Sequence, residues 1–201
     1  MNSRASVALL KHIRAAVTTG GAAVVGIFNS IRERDDASRV ELAVGDEAPD
    51  FRLQASDGCT YRLSEYRGHR AVVIAWFPKA FTGRCAVECE SIGSSMQRLR
   101  QLGVACFAAS VDTPKVNRQF AASLAIDVPI LSDPQKSVAR SYGVLRPSGF
   151  PSRWTFYVGV DGRIQAIDKA VRVATHGSDI ERALGTWSEK TLVSPQRRGD
   201  P

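Results

Sequence analysis

The chain has 201 residues, 44% of them apolar and 23% charged, with a formal net charge of +7. This is the make-up of one buried globular domain with flanking segments, not of a disordered or fibrous chain. Basic residues are not gathered into a stripe and do not interleave with aromatics, which argues against nucleic-acid binding; four cysteines (Cys59, Cys85, Cys89, Cys106) are too few for a disulfide-stapled secreted domain and suit a reducing, cytoplasmic setting.

Residues 1–40 read as an N-terminal helical extension and linker. The first 32 residues hold no acid, and Leu9, Leu10, Ile13 and Val17 share one helical face before Gly20-Gly21 interrupts it. The apolar stretch 15–28 is too short and too weakly hydrophobic for a membrane span. Three readings stay open: a docked or frayed amphipathic extension, an organelle-type targeting segment, and a membrane-surface helix. The folded domain is read as 41–187.

Asp57-Gly58, between 51–53 and 61–63, is a hairpin turn signal, with Cys59 just past it as a small strand residue. Residues 73–77 (Val-Ile-Ala-Trp-Phe) are a continuous apolar run ending at Pro78, which predicts a strand buried on both faces. A short loop follows, then a helix from about Thr82 to Leu102 with Val87, Ile92, Met96, Leu99 and Leu102 on its apolar side and Gly103 as its C-terminal stop. Residues 104–111 predict a second buried strand, with Cys106 an inert core thiol. Thr113-Pro114 opens a helix carrying Val116, Phe120 and Leu124. A short strand at 128–131, a brief helix at 138–142 and a hairpin turning at Asp161-Gly162 come next. Ser178 to Glu181 has capping-box spacing and opens the last helix, with Ile180, Leu184 and Trp187. His176, just ahead of it, reads as a loop residue. From 188 to 201 the chain turns polar and reads as a disordered tail. Strands separated by helices, closed by a hairpin and a helix, describe an α/β domain: a central mixed sheet flanked by helices, with an N-terminal β-hairpin.

The chemistry concentrates in the strand–loop–helix unit at 73–102. Cys85 falls in the first helical turn, where unpaired N–H groups and the positive end of the helix dipole favour a thiolate. Arg84 adds positive charge, and the Thr82 hydroxyl is in reach of the sulfur. A reactive cysteine is the hypothesis this position suggests.

Pro78-x-x-x-Thr82-x-x-Cys85 resembles the active-site signature of the peroxiredoxins, thiol peroxidases with the thioredoxin-like fold. Pro78-Lys79 and Glu88 are similar to the bacterioferritin-comigratory, or Q-type, subgroup. The likeness runs over roughly 41–187 and takes in residues 44–51, Ser110-Val111-Asp112 and Arg153-Trp154-Thr155-Phe156. It implies a peroxidase acting on hydrogen peroxide and small organic hydroperoxides, with Cys85 as the attacking, peroxidatic thiol. Arg153 would supply a guanidinium to the sulfur, Pro78 would shield it from water, and backbone N–H groups of residues 83–85 would hold the peroxide. Glu88 would orient the arginines. A thioredoxin- or glutaredoxin-like donor would regenerate the enzyme, as a monomer or homodimer, with no bound cofactor and no metal.

Cys89 is the nearest thiol to resolve a Cys85 sulfenic acid. At i, i+4 on an intact helix the Cβ atoms lie ~5–6 Å apart, against the ~3.8 Å of a disulfide, so the first turn must unwind. The Q-type resolving cysteine usually comes five residues after the peroxidatic one, whereas here the interval is four. The alternative is an external thiol. Two other functions compete: a Sco-like Cu(I) chaperone using Cys85 and Cys89, since thiolates suit Cu(I), although residues 148–154 lack its histidine; and a thiol-disulfide oxidoreductase, although Cys-x-x-x-Cys has one residue too many for that class.

Overall fold

The structure, a computed structural model, describes residues 40–187 and 189–192. What the sequence suggests for residues 1–39 and for the tail after 192 lies outside the described residues. Among the described residues the strands are β1 (Arg52–Ala55), β2 (Thr60–Arg62), β3 (Val72–Trp76), β4 (Ala105–Ser110), β5 (Ile130–Ser132), β6 (Thr155–Val158) and β7 (Ile164–Asp168). The helices are α1 (Gly83–Gln101), α2 (Pro114–Ser123), α3 (Ser137–Ser141), α4 (His176–Leu184) and α5 (Glu189–Leu192). The strands form one mixed sheet in the order β2-β1-β5-β4-β3-β6-β7. The expected N-terminal hairpin is there, with β1 and β2 antiparallel across Asp57-Gly58 and Gly58 at φ +88°. No helix among the described residues is long and apolar enough to cross a membrane.

Strand β3 explains the layering. Successive side chains of a strand point to opposite faces, and all five residues of β3 are buried. Val73, Ala75 and Phe77 join α1, α2 and α4 in one core cluster; Val72, Ile74 and Trp76 join Phe51, Ala139 and Tyr142 in the other. β3 runs parallel to β4 and antiparallel to β6. The β3–β6 register pairs Ala75 with Thr155, and Trp76 N–H donates to the Trp154 carbonyl at 2.9 Å. That register carries Arg153 to the end of β3, where the loop to α1 begins.

Helix α1 ends in a Schellman motif: Gly103 at φ +72° donates to the Arg100 carbonyl and Val104 to that of Leu99. Its buried face differs from the expected one. Val87 is 41% exposed, and the face turned inward runs through Cys85, Glu88, Cys89, Ile92, Met96 and Leu99. A buried carboxylate in that stripe hides it from any count of apolar periodicity. In α2, Thr113 Oγ1 accepts from Val116 N–H at 3.4 Å, as a cap before a first-turn proline should.

Two expectations near the C-terminus need correction. The last long helix starts at His176, two residues before Ser178, whose hydroxyl donates back to the Thr175 carbonyl at 2.9 Å instead of capping. The early start is permitted by Gly177, which packs directly on the backbone of α1 at Ser91. Past Trp187, the segment read as a polar tail contributes α5. Its Leu192 is buried in the core and its carbonyl accepts from Ala71 N–H at 2.7 Å, so an apolar residue and a backbone hydrogen bond at the start of β3 hold this turn against the sheet.

Candidate active site

The loop between β3 and α1 is held from two sides. Phe77 N–H donates to the Ala109 carbonyl at 2.9 Å, and Ala80 N–H to the Asp112 carboxylate at 2.8 Å. Between these anchors Pro78 is half-buried, and Phe81 turns the chain at φ +60°. That left-handed conformation is strained for a bulky residue, and such strain gathers where a loop has a task. The Phe81 ring is mostly exposed, with its centroid 5.2 Å from that of Phe120.

Thr82 precedes α1 in extended conformation, and its carbonyl accepts from Cys85 N–H at 3.0 Å and Ala86 N–H at 2.9 Å. Its hydroxyl donates to the Lys79 carbonyl at 3.0 Å. The proton expected on the sulfur is thus directed back into the loop, three residues upstream, where the turn brings that carbonyl close. Cys85 N–H is likewise taken by Thr82, which leaves Gly83 and Arg84 as the first-turn donors without an intrahelical acceptor.

Cys85 is 1% exposed. Arg153 Nη2 donates to its Sγ at 3.2 Å across 68 residues of chain. The other arm of the guanidinium, Nη1, forms an ion pair with Glu88 Oε2. Glu88 is fully buried, and its second oxygen, Oε1, lies 3.1 Å from His176 Nδ1. His176 Nε2 is 2.8 Å from Thr155 Oγ1. One row therefore runs Cys85–Arg153–Glu88–His176–Thr155, buried except at the half-buried Arg153. Sequence reading found its first three members and missed the last two. His176 is buried at the start of α4 rather than loop-bound, and nothing in its local sequence marks it; Thr155 sat inside the matched Arg153–Phe156 segment without a role.

Burial pushes His176 down to about 4; Asp168 and Asp179 oppose that shift and the Arg153 cation adds to it. Glu88, the facing carboxylate, is already paired with Arg153. The folded value lies below the ordinary 6.5, so the unfolded chain binds the extra proton between these values. Stability is then full above about pH 6.5 and falls as pH drops toward 4, by about 3 kcal/mol from this group. Urea midpoints of wild type between pH 4 and 7, set against His176→Asn, should show that slope flattened in the variant.

Cys89 is fully buried on the same face of α1, and its thiol is pushed well up, first by burial and then by the Cys85 and Glu90 charges. Cys106 is a buried thiol pushed up to about 12 by burial alone, as an inert core residue should be. Cys59 is exposed beside the first hairpin turn. Neither comes to the site. The copper-chaperone reading is not favoured: the His176 ring is taken by Thr155 and Glu88, and among the described residues no three His, Cys, Asp or Glu side chains are grouped to hold a metal.

Comparison with known proteins gives the family. Over 142 residues, covering 67% of this chain and 90% of the relative, the sequence is 29% identical to Peroxiredoxin Bcp of Escherichia coli (strain K12). It is 34% identical over 127 residues to Alkyl hydroperoxide reductase E of Mycobacterium tuberculosis, covering 62% of this chain and 83% of the relative. The crystal structure of Peroxidoxin BcpB from Mycobacterium tuberculosis superposes with a TM-score of 0.66 at 25% identity, covering 74% of this chain and all of that one, so the fold is thioredoxin-like. The pattern that defines the AhpC/TSA family matches residues 44–167, well over half of the chain, and the protein belongs to that family, the peroxiredoxins.

Proposed function

We propose that Cys85 is the peroxidatic cysteine of this thiol-dependent peroxidase. The observation that carries the assignment is the Arg153 guanidinium on its sulfur, at the mouth of an anchored loop. A hydrogen bond from a cation favours the charged form of a thiol, and the thiolate is the nucleophile. Cys85 Sγ attacks the terminal oxygen of a hydroperoxide; the S–O bond forms as the O–O bond breaks. The proton of the attacked oxygen passes to the departing one, which leaves as water or an alcohol. The sulfur, oxidised by two electrons, becomes a sulfenate.

The other roles are proposed on the same footing. Thr82 Oγ1, its proton given to the Lys79 carbonyl, offers lone pairs to the hydroperoxide O–H. The free N–H groups of Gly83 and Arg84, with Arg153, stabilise the charge that develops on the departing oxygen. Pro78 covers the sulfur, and Glu88 holds Arg153 in place.

Resolution falls to Cys89. The sulfenic acid loses water to its thiol and a disulfide forms, which a thioredoxin- or glutaredoxin-like dithiol then reduces. Because Cys89 is enclosed on an intact helix and burial disfavours its thiolate, the first turn of α1 has to unwind before the two sulfurs meet. Helix ends open locally at low cost. A reducing compartment such as the cytoplasm suits this cycle.

Mass spectrometry of the intact protein after one equivalent of peroxide tests the assignment. Wild type is expected to lose two hydrogens, with the cross-link mapping to Cys85 and Cys89. Cys89→Ser should instead carry one or more oxygens on Cys85. An unmodified Cys85 in wild type would refute the peroxidatic role, and an oxygenated Cys85 without a disulfide would transfer resolution to an external thiol.

A further inference from the structure

Glu88 is where the site's geometry is decided, and half of its environment comes from α4. A carboxylate has only acceptors. Its Oε2 is bound to Arg153, which keeps the group ionised, so the ring nitrogen facing Oε1 must carry the proton. That nitrogen is His176 Nδ1. In the neutral ring Nε2 is then bare and accepts from the Thr155 hydroxyl 2.8 Å away. The tautomer is thus set by the carboxylate, because the Thr155 hydroxyl can donate or accept. Thr155 belongs to β6, two residues after Arg153, so one strand supplies both the guanidinium and the group that orients the histidine.

We propose that His176 is a positioning residue for the peroxidase reaction: its Nδ1–H fixes the Glu88 carboxylate, which fixes the plane of Arg153 and thereby the donor on the Cys85 sulfur. The inference rests on the peroxidatic reading of Cys85. Without that N–H, Glu88 keeps one oxygen in an enclosed site with no donor. The carboxylate is then free to rotate and take Arg153 with it. An error of about 1 Å in a group that stabilises a transition state costs on the order of a hundredfold in rate. Gly177, the next residue, lets α4 approach α1 closely enough for the contact.

The test compares the second-order rate of Cys85 oxidation by hydrogen peroxide in wild type, His176→Phe and His176→Asn, all as the full chain. Phenylalanine keeps the ring and removes the donor; asparagine places an amide N–H where Nδ1 stood. The expected result is a fall of about 10- to 100-fold for His176→Phe and recovery to within about threefold of wild type for His176→Asn. Nitrogen NMR of the wild-type ring should show the neutral Nδ1–H tautomer at pH 7. That measurement needs no variant, so the inference stays testable should His176→Phe not fold. Wild-type rates in His176→Phe, equal losses in both variants, or an Nε2–H tautomer would each overturn the inference. An unreactive wild-type Cys85 would instead overturn the peroxidatic reading beneath it, with the tautomer still observed.

Discussion

Cys85→Ser is expected to abolish peroxide reduction, with a loss of at least about a thousandfold, while leaving the fold unchanged. A serine hydroxyl stays protonated at neutral pH and is a far weaker nucleophile than a thiolate, whatever surrounds it. The replacement is nearly the same size, and its oxygen still accepts from Arg153, whose Nη2 lies 3.2 Å from the sulfur. Peroxide consumption in the presence of a dithiol measures the effect, with circular dichroism as the control on folding. Cys59→Ser, at an exposed position away from the site, should keep activity to within about twofold. Turnover at the wild-type rate in Cys85→Ser would mean that another group attacks the peroxide.

The second large effect is structural and lies far from the sulfur in sequence. Gly177→Ala should lower stability by about 2–3 kcal/mol and the melting temperature by roughly 5–10 °C. A Cβ at this position would overlap the Ser91 carbonyl oxygen and stand 2.6 Å from Ser95 Oγ. The carbonyl belongs to helix backbone and cannot rotate aside, so α4 must lift off α1. Gly177 N–H would leave the Ser91 hydroxyl, now 3.1 Å away, and Ile180 and Leu184 would be drawn from the core. Peroxidase activity should fall with stability, because the same movement separates His176 from Glu88. Calorimetry would decide it. A melting temperature within about 1 °C of wild type would show that the two helices do not meet at this glycine.

The candidate site was legible in part because its signal is local. A buried apolar run, a proline, a few loop residues and a helix start place Cys85 in a first turn by chain connectivity alone. The flanking Thr113-Pro114 cap and the Gly103 stop are equally local. Their hydrogen bonds span three to five residues, and the residue types that make them are constrained by backbone geometry. The inward face of α1 was not legible. Its burial of Glu88 contradicts every rule of hydrophobic patterning, and only Arg153 and His176, brought from two other elements, make that burial tolerable.

The capping box at Ser178 misled for a similar reason. Its spacing is right for a helix start, but close packing at Gly177 begins the helix earlier. By itself, then, the sequence determined the αβ order of elements, the family likeness and the place of Cys85 in a first helical turn, since each is written in neighbouring residues. Only the tertiary structure decided which groups surround that sulfur. Antiparallel pairing of β3 with β6 delivers Arg153 and Thr155, and the contact of α4 on α1 delivers His176. Those contacts depend on strand register and on one missing side chain, and neither leaves a periodic trace along the chain.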